Sequence, residues 1–298
     1  MIECVANVSE GRNAAVIEEI TAALRFTHAK LLNVHVDPDH HRSVLTLAGG
    51  SEAVEEAAFT LARECVARID LRRHEGVHPR MGALDVLPFV PLAGSSMDDC
   101  VQMARRTGTR IATELGVPVF LYGDAAFHPE RRSLFFVRGR GLETLRARMQ
   151  DEGFAPDFGP SVPHPTAGAT AVGARNTLVA YNVRLDTPDV AIARRIASSI
   201  REAQGGMRGV QALGLFLATR RCAQVSMNLV GPHLPRVVDV FCHVRELARA
   251  FGVSVTASEL VGLAPSTSLE GATRRNLLLD DEPSAYVLET RLAEVNLA

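Results

Sequence analysis

The sequence predicts an α/β (α+β) fold of two structurally related subdomains. Each is a mixed β-sheet with helices, built on a ferredoxin-like β-α-β-β-α repeat. Three observations carry this expectation. The order of strand-like and helix-like patterns in the first half recurs in the second. The first strands of the halves end alike, VANV at 5–8 and AYNV at 180–183. The chain has 298 residues, 47% hydrophobic and 22% charged, enough to bury two cores. The expected division is 1–174 and 175–298.

In the first half, residues 2–8 (IECVANV) read as a strand and Ser9–Asn13 as a turn and helix cap. Val16, Ile17, Ile20 and Leu24 follow at helical spacing. Leu31–Val36 and Ser43–Leu47 read as strands joined by the turn DPDHHR, and a helix covers about 51–67. In the second half, Leu178–Val183 is strand-like, and Pro188 opens a helix with Ile192, Ile196 and Ile200 on one face. Strands are expected at Val210–Leu217 and Cys222–Val230, then a helix at His233–Phe251. The first half also gains strands at Leu84–Val90 and Val117–Tyr122. They flank a helix opened by Ser96 with Asp99 three residues on, close to a capping box. Short helices follow between Pro129 and Met149. Residues 154–175 are rich in proline and glycine but also carry Phe154, Phe158, Val162 and His164, which favours an ordered, stiff loop over a polar linker.

Composition excludes several classes of function. The formal charge is −2, with 32 basic and 34 acidic residues, no tryptophan and three tyrosines, so nucleic acid is not an expected partner. Five scattered cysteines form no CxxC and support neither a disulfide framework nor a structural zinc site. The N-terminus has no basic segment leading into an apolar one, and no apolar run approaches membrane-spanning length. The expectation is a cytoplasmic protein without a membrane partner. A nucleotide cofactor is also unsupported, because GRGLE at 139–143 lacks the strand–glycine-loop–helix order and the P-loop lysine.

The stretch 71–86, LRRHEGVHPRMGALDV, concentrates two histidines, three arginines and two carboxyls around Gly76, Pro79 and Gly82. Neither a helix nor a half-buried strand survives that punctuation, so a shaped loop is expected. A titratable imidazole beside guanidinium groups suits acid–base chemistry on an anionic substrate. His78 is the stronger base candidate, because Pro79 restricts its backbone, and Arg80 and Asp85 are close enough in sequence to orient it. A hydrogen bond from His78 to a strand edge is the other reading. His74 and His78 are spaced as helical metal ligands, but Gly76 and Pro79 oppose the helix, so no metal is expected. In the turn 37–42, Asp39 and His40 read as solvated. Arg42 opens a strand and suits a substrate carboxylate. Asn7, Ser9 and Glu10 lie at the strand–helix junction, where capping is the simpler role. The pairs Arg72–Arg73 and Arg131–Arg132 read as solvated charges.

Seven collinear blocks resemble the glutamate formiminotransferase family, also found fused to a cyclodeaminase. They are ECVANVSEG (3–11), RRHEGVHPRMGALDVLPFVPL (72–92), PVFLYGDAA (118–126), PDFGPS (156–161), GATAVGAR (168–175), AQVSMNL (223–229) and SELVGLAP (258–265). The resemblance implies two α/β subdomains and a cytoplasmic enzyme of histidine and one-carbon metabolism. That enzyme transfers the formimino group from N-formimino-L-glutamate to N5 of tetrahydrofolate, its co-substrate. The family's catalytic histidine falls on His78. Its folate-binding stretch falls on Gly159, Pro160, Ser161, Val162, Pro163, His164, Pro165, Thr166, Ala167 and Gly168. Asn7, Arg42, Arg80 and Asp85 are the further candidates for substrate binding. The other readings are a related one-carbon transferase using formiminoglycine or 5-formyltetrahydrofolate, and a folate-binding protein without catalysis. Formiminoglutamate and folate are the expected small-molecule partners and a homodimer the expected assembly. A chain ending at 298 leaves no room for a cyclodeaminase, so no deaminase activity is expected.

Overall fold

The computed structural model describes residues 1–231 and 233–297. It divides into two compact units, Met1–Arg175 and the chain from Asn176 onward. In the first, β1 (Ile2–Val8) leads into α1 (Ala14–Leu24), then β2 (Lys30–Asp37), β3 (Arg42–Gly49) and α2 (Ser51–Arg68). Asn13 caps α1 by accepting from the Val16 N–H. A loop entered through a short 3-10 turn at Leu71–Arg73 separates α2 from β4 (Leu84–Pro91). Next come α3 (Met97–Leu115) and β5 (Val119–Gly123). The Ser96–Asp99 capping box that opens α3 is formed in both directions. The short helices α4 (Leu134–Arg138) and α5 (Leu142–Arg148) precede β6 (Thr170–Ala174).

The sheet order is β2-β3-β1-β4-β6-β5. The pairs β2–β3, β3–β1 and β1–β4 are antiparallel, whereas β4–β6 and β6–β5 are parallel. One core lies under α1, α2 and α3, with Leu45, Leu61, Phe89 and Leu121 at its centre. A second cluster, including Met81, Phe120, Val137 and Leu145, lies under α4 and α5. Strand β6 is the clearest departure from the sequence reading, which placed its residues in the proline- and glycine-rich loop. Its five small residues, TAVGA, are all buried and hold the centre of the parallel part. So short a run, without alternation, carries no strand period.

The second unit repeats the pattern. Its elements are β7 (Val179–Leu185), α6 (Val190–Ile200), β8 (Val210–Leu217), β9 (Cys222–Leu229), α7 (Val237–Ala250) and β10 (Val255–Val261). The order β10-β7-β9-β8 is antiparallel throughout. It matches β4-β1-β3-β2 of the first unit, so β10 and β4 each complete a split β-α-β-β-α-β unit. Helix α7 starts later than the sequence suggests, after Pro235 and Arg236. The short helices α8 (Arg274–Leu277) and α9 (Leu288–Glu294) follow β10. No described helix is long and apolar enough to cross a membrane. All five cysteines are free.

Candidate active site

The loop between α2 and β4 is seated by backbone bonds at both ends. Leu71 N–H donates to the Thr166 carbonyl at 2.9 Å, and Ala83 N–H to that of Ala167 at 2.9 Å. Ala169 N–H donates to Met81 at 2.9 Å, and Ser9 N–H and Oγ reach the Ala83 and Gly82 carbonyls. Residues 164–169 therefore hold the histidine loop at both ends. The two chains approach so closely that a Cβ on Gly82 would lie 2.0 Å from the Ala169 carbonyl oxygen. One on Gly168, whose φ is +70°, would lie 2.2 Å from that of Met81.

Inside this frame the imidazole of His78 is half-buried and stands against Arg42. Its Nδ1 lies 2.8 Å from the Pro79 carbonyl oxygen, which assigns the proton to Nδ1. The lone pair then rests on Nε2, 3.1 Å from Arg42 Nη1. The 2.6 Å approach of Nη1 to Nδ1 is a close contact in this tautomer, because a protonated Nδ1 has nothing to accept with. His78 is held well below the usual histidine range. Burial is the main cause, Arg42, Arg138 and His40 add to it, and the Pro79 carbonyl opposes it. It is thus a neutral imidazole with an acceptor nitrogen, the form a general base requires.

Arg42 is positioned by Asp85, and a β-bulge aims that carboxylate. The β1–β4 register pairs Asn7 with Val86 but Val8 with Leu84, leaving Asp85 as the extra residue. Asp85 is fully buried, accepts Met81 N–H at 2.8 Å, and bonds both Arg42 Nη2 and Arg138 Nη2, the latter at 2.9 Å. Burial lowers the Arg42 pKa to about 10; Asp85 opposes that and Arg138 reinforces it.

A second pair of histidines locks the loop to the turn before β3. His41 adopts φ +51° and stacks on His74 with ring centroids 4.0 Å apart. His41 bonds the Glu75 carbonyl at 2.9 Å and Glu10 at 3.1 Å, while His74 Nε2 bonds the His41 carbonyl at 2.8 Å. Burial is the main force lowering the His74 pKa, to about 4. Glu10 also collects the N–H groups of Gly11, Arg12 and Asn13, which outweigh its burial and keep its carboxyl low. Gly76 lies so close to this turn that a Cβ would sit 2.5 Å from the His40 carbonyl oxygen.

Several expectations change here. Asp39 and His40 are buried rather than solvated, because the histidine loop covers their turn. Arg131 is also buried: it donates to Asp157 at 2.9 Å and to the Ala155 carbonyl at 2.7 Å, fixing the segment before Phe158. Its neighbour Arg132 is exposed, as are Arg72 and Arg73. Glu10 and Ser9 hold loops instead of capping α1. Of the substrate-binding candidates, Arg42 stands against His78, and Asp85 bonds Arg42. Arg80 braces the loop through Glu143 at 2.7 Å and the His74 carbonyl at 2.8 Å. Asn7 donates to the Val5 carbonyl of its own strand. Arg138 was missed in the sequence because it sits beside GRGLE, read only as a failed phosphate loop.

In the stretch 159–168, Gly159 takes φ +89° against α3, and Pro160, Ser161 and Val162 are exposed. Pro163 and His164 are half-buried, and His164 and Gly168 exchange backbone bonds around Pro165, Thr166 and Ala167. His164 Nδ1 accepts the Ala167 N–H at 3.0 Å, which leaves its proton on Nε2. Ala167 is buried in the core.

Comparison with known proteins decides the family. Residues 1–175 match the formiminotransferase domain, N-terminal subdomain, and 180–287 match the formiminotransferase domain. The chain belongs to the formiminotransferase family. It is 43% identical over 98% of its length to a glutamate formimidoyltransferase of Streptococcus pyogenes, covering 98% of that protein. A glutamate formimidoyltransferase of Thermoplasma acidophilum is 39% identical, with 98% and 97% covered. A formimidoyltransferase-cyclodeaminase of Rattus norvegicus is 40% identical over 97% of this formiminotransferase chain, which spans 54% of that longer relative.

Proposed function

We propose that this protein is a folate-dependent glutamate formimidoyltransferase, moving the formimino group of N-formimino-L-glutamate to N5 of tetrahydrofolate. The observation that carries the reading is a neutral His78 packed against Arg42, in a loop sewn to the stretch 159–168. The names of the relatives agree with it. The reaction needs little beyond a proton carrier and positioned charges. A bond forms from N5 to the formimino carbon, the bond from that carbon to the glutamate nitrogen breaks, and one proton passes from N5 to that nitrogen. His78 Nε2 takes the proton from N5 and returns it to the departing amine.

The residues at 159–168 fit a folate. Exposed Val162 beside prolines offers an apolar surface, and His164 Nε2–H supplies a donor whose orientation its own turn fixes. Tetrahydrofolate is the co-substrate in this reading, and a homodimer is the proposed assembly, which light scattering checks. The functional test is direct. Purified protein with N-formimino-L-glutamate and tetrahydrofolate should form 5-formiminotetrahydrofolate and glutamate. Turnover only with formiminoglycine or 5-formyltetrahydrofolate would move the assignment to another donor. Folate binding without any turnover would remove it.

A further inference from the structure

Asp85 is the one carboxylate that the structure shows bonding Arg42 and Arg138, and it is fully buried. Both guanidinium groups use Nη2 on its Oδ2 oxygen, since Oδ1 is taken by Met81 N–H. Their side chains are only 10% and 15% exposed. The pair therefore shares one carboxylate oxygen in a poorly solvated place. That is costly unless an anion completes it. Arg138 Nε is buried without a hydrogen-bond partner, and its guanidinium fork is the shape that receives a carboxylate.

We infer that Arg138 is a substrate-binding residue, which with Arg42 receives the α-carboxylate of the formimino donor. This inference rests on the transferase reading above. Position selects which carboxylate it is. Arg42 touches His78, so an anion on the Arg42–Arg138 pair lies about one side-chain length from the base. In N-formimino-L-glutamate the α-carboxylate is joined through Cα alone to the nitrogen that leaves. The γ-carboxylate is further away, and the carboxylates of the folate tail are separated from N5 by the whole aminobenzoyl group. The α-carboxylate is therefore the group placed nearest this pair when the leaving nitrogen faces His78. Arg138 thus orients the leaving group, and Asp85 positions both arginines without touching substrate.

The test compares wild type, Arg138→Gln and Arg138→Lys by steady-state kinetics with each substrate varied. It uses N-formimino-L-glutamate and its α-amide and γ-amide as donors. The expected result for Arg138→Gln is a donor KM raised about 10- to 100-fold, with the tetrahydrofolate KM within about twofold of wild type. Arg138→Lys should recover part of the loss. The wild type should discriminate strongly against the α-amide and weakly against the γ-amide, and Arg138→Gln should lose that difference. A merely structural role for Arg138 would raise both KM values together and keep the discrimination, which would overturn the inference. So would unchanged donor kinetics in both variants. If Arg138→Gln does not fold, the Arg138→Lys KM ratio decides alone. Wild type without turnover on any donor removes the transferase reading itself, whereas normal wild-type turnover with unaffected variants removes only this inference.

Discussion

Arg42 joins His78 to Asp85: its Nη1 lies 3.1 Å from the acceptor nitrogen of His78, and its Nη2 bonds the buried Asp85 carboxylate. One side chain thereby lies against both the imidazole and the buried carboxylate. It reaches this position because β3 begins at Arg42, directly after the left-handed His41. The bulge on β4 turns Asp85 toward it.

The first prediction concerns pH and activity. Because burial, Arg42, Arg138 and His40 hold the His78 pKa well below 6.5, the acid limb of kcat/KM should lie well below pH 6.5. Below that limb the imidazole is protonated and cannot accept from N5. Arg42→Gln removes a cation beside the ring, so the limb should move toward higher pH while overall activity falls. A pH–rate profile of both proteins checks it, and an unmoved limb would contradict the assignment.

Stability should fall in acid through the second histidine. His74 titrates near 4 in the folded protein, against an ordinary value of 6.5. The unfolded chain therefore binds the proton first, and the His74 share of stability is lost as pH drops from about 6.5 to about 4. Urea midpoints across that window should show the decline, and His74→Asn should make it shallower, leaving the share that His78 contributes.

The close backbone approaches should be intolerant of a methyl group. Gly168→Ala places a Cβ against the Met81 carbonyl at a positive φ, and a cost of about 1–3 kcal/mol is expected. Gly94→Ala is the control, since Gly94 also has a positive φ but meets nothing within 4 Å. It should cost less in the same denaturation assay.

Loss of Asp157 should unfold more than a surface pair would. Asp157 and Arg131 are each about 2% exposed, and Asp157 also accepts Leu121 N–H at 2.7 Å. Asp157→Ala strands a buried guanidinium and should cost about 3–5 kcal/mol. Asp124→Ala, which removes the half-buried partner of the exposed Arg132, should cost under about 1 kcal/mol in the same measurement.

The repeated strand and helix order was readable because Val16, Ile20 and Leu24, or Ile192, Ile196 and Ile200, repeat at helical spacing. Strand β6 was not, since a buried five-residue strand of small side chains has no period. His78 stood out as a base candidate through Pro79 and its charged neighbours, whereas folate binding by the stretch 159–168 came from motif blocks alone. Arg42 was reachable because a strand-opening arginine beside a histidine-rich turn suggests a clamp. Arg138 was not, because its partner Asp85 lies 53 residues away and local pattern says nothing of such pairs. Burial of Arg131, Asp39 and His40 is likewise a tertiary fact. Charged residues in turns read as solvated until another loop is known to cover them.

The central claim is that His78 carries the proton from N5 to the departing glutamate nitrogen. Single-turnover formation of 5-formiminotetrahydrofolate by wild type and His78→Ala, at saturating substrates, tests it most directly. His78→Ala should bind both substrates and form product about 10²- to 10⁴-fold more slowly. A correctly folded His78→Ala protein reacting within about threefold of wild type would contradict it.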